Sequence, residues 1–172
     1  MIASASGFAD YFEGVRRRTR DFFSAIPADH IDWAPKPGEY SCGDIVRHVA
    51  AAEAMFVGAA VDGRWRYAGH DRAEAPTLEA ALARLDTGHA GASARLRGLA
   101  AVALEQTRPS LEPGARPVRT WRLLLAMVEH EVHHRSQLAS YLTWMGVEAP
   151  DIFGLGVEDV ERLTAPAAGR DR

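Results

Sequence analysis

The chain has 172 residues, with 20 Lys and Arg against 23 Asp and Glu, a formal net charge of −3 and a pI near 6.2. It lacks the basic excess that neutralises phosphates, which argues against a general nucleic-acid binder. The length suits one domain able to bury about 70% of its unfolded surface without staples, and the single cysteine, Cys42, has no internal partner, which fits a reducing compartment.

The opening MIASASGFADYFEGV has neither a basic start nor an apolar core. No stretch approaches the roughly 20 apolar residues that span a bilayer, so a soluble, cytoplasmic protein away from membranes is expected. The first helix is expected from about Ser6 to Ile26, burying Phe8, Phe12, Val15, Phe22 and Phe23. The run Arg16 to Arg20 then forms its solvated face, and Pro27 closes it. The segment PADHIDWAPKPGEY is a structured loop whose Trp33 packs over a bundle end. Ser41 opens the second helix, and Asp44, three residues on, completes a capping-box pattern. The apolar stripe runs through Ile45, Val49, Ala52, Met55 or Phe56 and Ala59, with His48 inside it. Glu53 lies roughly 140° round from His48 and is expected to be exposed.

Gly63 ends that helix, and GRWRYAGHDRAEAP reads as an irregular crossover with a solvated His70. Thr77 caps a third helix reaching about Glu105, with Leu78, Leu82, Leu85, Ala92, Leu96 and Leu99 in register. His89 falls on this apolar side, and Gly88 and Gly91 beside it suggest close packing or a kink. The segment TRPSLEPGARPVR is a second Pro-rich loop, after which Thr120 caps the fourth helix, Gly146 serves as its C′ residue and Pro150 as a stop. Beyond Phe153 the chain turns polar, with one short helix at Val157 to Leu163 and a frayed end. The expected division is a helical bundle over residues 1–156 and a polar tail over 157–172.

The chemistry concentrates in the fourth helix, MVEHEVHHRSQLASYLTWMG. His130 and His134 lie four apart on one face, whereas His133 points away from His130. Leu123, Met127, Tyr141 and Met145 share that face, so the side carrying the pair is also the side that favours burial. One histidine on an apolar stripe is ordinarily a hydrogen-bonded core residue. Two side by side need a common partner, because each ring brings a nitrogen that costs about 1–3 kcal/mol if left unpaired, and a divalent metal is the commonest such partner. His48 supplies the third ligand; His89 is its rival and ranks below it. Four amphipathic helices without an alternating strand pattern imply an all-α four-helix bundle with long crossover loops, in which metal sites form from inward residues on facing helices.

Trp33-Ala-Pro35, Ser41 with His48, then His130-Glu-Val-His133-His134-Arg135-Ser-Gln137, Tyr141-Leu142, Gly146 and Pro150 together resemble the DinB-like (YfiT-type) four-helix bundles. The resemblance spans roughly Phe8 to Pro150; its histidine helix is the specific part, and Ser136 stands where the family more often has Gly. It implies that His48, His130 and His134 ligate a divalent ion with open positions, usually in a homodimer. Characterised relatives are thiol transferases using a low-molecular-weight thiol such as bacillithiol, and mycothiol-dependent isomerases. The implied chemistry is activation of such a thiol cosubstrate (S-transferase) or of water (hydrolase) toward a small-molecule substrate. Zinc is the first expectation for the ion and nickel the second. Cys42, at a helix start, is read as structural.

Two other readings stand beside this one. His130-Glu131-Val132-His133-His134 is a literal H-E-x-x-H, in which Glu131 would be the general base of a zinc peptidase. The metzincin continuation fails at Gln137 and Ser140, Glu158 would be a further ligand candidate, and Glu131 could instead pair with Arg135. The last reading is a non-catalytic metal- or ligand-binding bundle, with Trp33, Arg135, Gln137 and Tyr141 as wall or outer hydrogen-bonding residues.

Overall fold

The computed structural model describes residues 2–165. Four long helices, α1 (Ala5–Ser24), α2 (Cys42–Asp62), α3 (Leu78–Arg97) and α4 (Thr120–Trp144), are followed by a short α5 (Val157–Thr164). Both α1 and α2 pack along α3 and α4, so α1 stands diagonally across from α2. The all-α bundle expected from the helical patterns is therefore what forms, and no helix among the described residues is long and apolar enough to cross a membrane. The frayed end expected past Ala165 lies outside the described residues.

The helix ends follow their capping chemistry. Ser4 accepts a hydrogen bond from the Gly7 amide at the start of α1. Ser41 and Asp44 form the full capping box of α2, and Gly63 ends it in the left-handed region. Thr77 caps α3 through the Ala80 amide. At the end of α4, Val147 N–H reaches Leu142 O and Gly146 N–H reaches Thr143 O, a Schellman closure that uses the positive φ of Gly146.

Several boundaries differ from the sequence expectation. The first helix stops at Ser24, two residues short of Ile26, because the chain must leave helical geometry ahead of Pro27. The third ends at Arg97 with Gly98 as its cap, and Ala101–Glu105 forms a separate 3₁₀ turn in place of a continuation to Glu105. Thr120 is not the cap of α4: it is the first helical residue, buried, with its hydroxyl donating to Gln106 O. The second Pro-rich loop contains a two-residue antiparallel ladder, β1 (Thr107–Arg108) with β2 (Val118–Arg119), too short to produce an alternating pattern. A Cβ at Gly88 or Gly91 would meet nothing within 4 Å, so close packing does not explain either glycine. Trp33 does pack on the bundle end, edge-on to Tyr141. Within α5, Val157, Val160 and Leu163 are exposed and no residue is buried.

The interior is layered. One apolar cluster gathers Phe22, Phe23, Ile45, Val49, Leu85, Leu138 and Leu142, and a second gathers Phe8, Phe12, Val15, Val57, Leu96, Leu124 and Met127. A buried polar network joins the four helices along the same bundle. Arg16 on α1 pairs with Glu53 on α2 at 2.6 Å and with Glu131 on α4 at 2.8 Å. His89 on α3 bridges Glu53 at 2.7 Å and Glu13 on α1 at 3.0 Å. Two expectations are thereby corrected: Arg16 is not on a solvated face and Glu53 is not exposed. Each is buried because a partner on another helix compensates its charge, which the periodicity of a single helix cannot register.

Candidate metal centre

The Ser41 cap fixes where α2 begins, and two turns later His48 emerges beside α4. His130 and His134 emerge from consecutive turns of α4 toward it. The three ring centroids lie 4.6–4.9 Å apart. His48 Nε2 is 3.0 Å from His130 Nε2, and one nitrogen from each of the three rings lies within 4.8 Å of the others. The histidines proposed from helical spacing therefore do converge. His133 is exposed, as its position predicts.

Burial and mutual proximity keep the rings neutral. Burial pushes His48 down to about 4, with His134 and His70 adding to the effect. Burial likewise pushes His130 down to about 3 and lowers His134, although the hydrogen bond to Gln137 partly opposes that shift. Neutral imidazoles present lone pairs, which is the state a cation requires. Four-coordinate zinc with nitrogen ligands at about 2.0–2.1 Å separates neighbouring ligand atoms by about 3.4 Å. The observed spacing brackets that value, so the donor set fits a divalent ion after small ring rotations.

Outer hydrogen bonds orient the rings. His134 Nδ1 lies 3.0 Å from Gln137 Oε1, and Gln137 Nε2 donates to the Tyr141 hydroxyl at 3.1 Å. The amide oxygen can only accept, so His134 carries its proton on Nδ1 and leaves Nε2 free. On the other side His48 Nδ1 meets the Tyr67 hydroxyl at 2.7 Å. Phe56 packs against His130, and Tyr40 and Tyr67 pack edge-on to His48, giving the centre aromatic surroundings.

The remaining candidates lie elsewhere or act differently. His89 belongs to the carboxylate network on Glu13 and Glu53, not to the trio. Glu131, the base that the H-E-x-x-H reading requires, is 2% exposed and directed at Arg16; it does not pair with Arg135 either. Arg135 is buried, and burial lowers its pKa, with the nearby Arg18 charge adding to the effect. Glu158 is exposed on α5. Cys42 is fully buried, and desolvation pushes its thiol up to about 12, the opposite of an activated nucleophile. His70, expected to be simply solvated, is half-buried against Tyr40 and hydrogen-bonded to Tyr67. Tyr40, Phe56, Tyr67 and His70 were not identified as site residues from sequence. For Tyr67 and His70 the available signal was the aromatic density of Trp65-Arg-Tyr67 in the crossover.

The family model for the DinB superfamily matches residues 11–138. Among solved structures, a DinB-like protein from Bacillus subtilis is 21% identical with a TM-score of 0.67, covering 85% of this chain and 96% of its own. A DinB-like protein from Bacillus cereus is 14% identical with a TM-score of 0.72, covering 88% and 99% respectively. At these identities the likeness concerns the fold. No curated protein matches the chain.

Proposed function

The chain belongs to the DinB superfamily, and from that premise we propose that His48, His130 and His134 hold one divalent metal ion in a metal-dependent enzyme acting on a small molecule. The observation that carries this reading is the convergence of one nitrogen from each of three neutral imidazoles within 4.8 Å, with Gln137 directing the His134 lone pair inward. Zinc is the first assignment and nickel the second. Bound there, the ion supplies Lewis acidity that lowers the pKa of a coordinated thiol or water. The chain's own contribution is orientation: Gln137 and Tyr67 hold the ring planes, and Tyr40 and Phe56 surround the centre with low-polarity surface. The two activities that follow are S-transfer from a low-molecular-weight thiol and hydrolysis. The working form is proposed to be a cytoplasmic homodimer.

The peptidase alternative loses its base, because the Glu131 carboxylate is committed to Arg16 inside the bundle. A non-catalytic metal-binding bundle remains the competing reading, and turnover separates the two.

Elemental analysis of the purified protein, beside His48→Ala and His134→Ala variants checked for helicity by circular dichroism, tests the proposal. Near-stoichiometric metal in the parent, lost in both folded variants, is the expected result; assays of thiols against electrophiles and of hydrolysable esters then follow. Metal retained at parental affinity by His48→Ala would remove the α2 ligand. No binding by the parent even after divalent ions are added would refute the centre altogether.

A further inference from the structure

We infer that His70, acting through Tyr67, is a positioning residue for the histidine centre: it fixes His48 in the tautomer whose Nε2 lone pair faces the cation. This rests on the metal reading above. The Tyr67 hydroxyl lies 2.7 Å from His48 Nδ1 and 2.6 Å from His70 Nδ1. A phenol has one proton to donate and lone pairs with which to accept. It can donate to only one of these nitrogens, so at most one of the two imidazoles accepts from it at Nδ1 and at least one donates to it.

The two arrangements in which the Tyr67 proton goes to one of the rings have opposite consequences. In the first, His48 Nδ1–H donates to the Tyr67 oxygen and the Tyr67 proton goes to His70 Nδ1, leaving His48 Nε2 bare. In the second, His70 Nδ1–H donates to Tyr67 and Tyr67 donates to His48 Nδ1, which puts the His48 proton on Nε2. That proton then points at His130 Nε2, 3.0 Å away, and closes the centre with a histidine–histidine hydrogen bond. Of these two, only the first offers His48 as a ligand. His70 selects it by taking the Tyr67 proton, with its own hydrogen left on Nε2.

The selector is built in rather than loosely draped. The backbone oxygen of His70 accepts from Arg47 Nε at 3.2 Å, and the same buried guanidinium donates to Ala75 O at 2.9 Å and to Asp44 Oδ1 at 2.8 Å. Arg47 directly precedes His48 on α2, so one helix holds both the ligand and the crossover that sets its tautomer. The His70 ring also rests on Tyr40, with centroids 4.8 Å apart.

Without His70, Tyr67 keeps its proton and has His48 Nδ1 as the acceptor beside it, which favours the closed arrangement. Without Tyr67 that bias disappears. The full-length protein, stripped of metal with a chelator, is titrated with Zn²⁺ against a chromogenic competitor. Nitrogen-15 NMR of the imidazoles reads the His48 tautomer in the metal-free state. The expected results are Nδ1–H at His48 in the parent, a shift toward Nε2–H in His70→Ala, and a loss of Zn²⁺ affinity in His70→Ala of about 10- to 100-fold. His70→Asn, which returns an acceptor oxygen near the Nδ1 position, should recover the parental tautomer and most of the affinity. Tyr67→Phe added to His70→Ala should cost nothing more, whereas two independent structural losses would add. A parent that binds Zn²⁺ but is matched within twofold by His70→Ala, or whose His48 is already Nε2–H, overturns the selector alone. A parent that binds no Zn²⁺ overturns the metal reading and the selector with it.

Discussion

Replacing Arg16 with methionine removes the guanidinium that pairs with Glu131, and the cost follows from burial. The side chains of Arg16, Glu53 and Glu131 are 4%, 2% and 2% exposed, so the small figure for surface ion pairs does not apply. Breaking a buried pair from one side costs about 3–5 kcal/mol, because the stranded charge is left in a poorly polarisable interior. Glu53 keeps His89 at 2.7 Å. Glu131 has less in reserve: the Thr19 hydroxyl and the His89 charge also favour its ionised form, but its Oε1 has no hydrogen-bond partner among the described residues. For a chain of this size each kcal/mol moves Tm by about 2–4 °C, so the variant should melt about 6–20 °C lower. Burial raises the Glu131 pKa above its ordinary 4.5, while the Arg16 charge pulls it down; without Arg16 the rise is larger. A carboxyl raised in the folded state contributes stability below its unfolded value and loses it as pH climbs through the folded value. The Arg16→Met penalty should therefore be smaller near pH 5 than near pH 7.5, and Glu131→Gln in the same background should recover part of it. Thermal and urea unfolding at the two pH values, followed by circular dichroism, measures both effects. A Tm change under about 2 °C, or a penalty indifferent to pH, would refute the network as a buried charge system.

Three further outcomes are expected. Gly43→Ala should cost about 1–3 kcal/mol in urea unfolding, because its Cβ would meet Ile31 Cγ1 at 2.6 Å and the Arg47 guanidinium at 2.9 Å; an unchanged midpoint would mean that the loop yields freely. Burial opposes the charged form of His89, but hydrogen bonds to Glu53 and Glu13 outweigh it and raise the pKa above 6.5. Its stabilisation is thus complete below 6.5 and fades as pH rises through the folded value, so Tm of the parent should decline above that point more steeply than Tm of His89→Gln; parallel curves would contradict the assignment. Gln137→Ala should weaken Zn²⁺ binding by about 10- to 100-fold in the same competition assay, with Tyr141→Phe milder, since Tyr141 meets His134 only through the amide.

The fourth helix was legible because its ligand pair is local: an i, i+4 relation puts two rings on one face whatever surrounds them. His48 was legible by the stripe it shares with Ile45 and Val49. What the stripe could not give was depth. It placed His48 toward the core and Glu53 in water, whereas the structure leaves His48 half-buried and buries Glu53. The reason is that α2 has large neighbours on two sides, α3 and α4, so residues roughly 140° apart on it can both be covered. The same holds on α4, where His130 faces the histidine trio while the next residue, Glu131, faces Arg16. Periodicity assigns charge to solvent by default, and it fails where charge on one helix is matched by charge on another, as with Arg16, Glu53 and Glu131. Half-buried His48 and His130 beside buried His134 suit an open coordination position that solvent or a substrate can reach, and the buried network suits holding the helices behind it in register. Each pair, His48 with Glu53 and His130 with Glu131, is joined by one rigid stretch of helix. A shift of α4 against α2 that broke the Arg16 bridges would therefore also change the spacing between His48 and His130, which makes the ion network part of what sets the geometry of the metal centre.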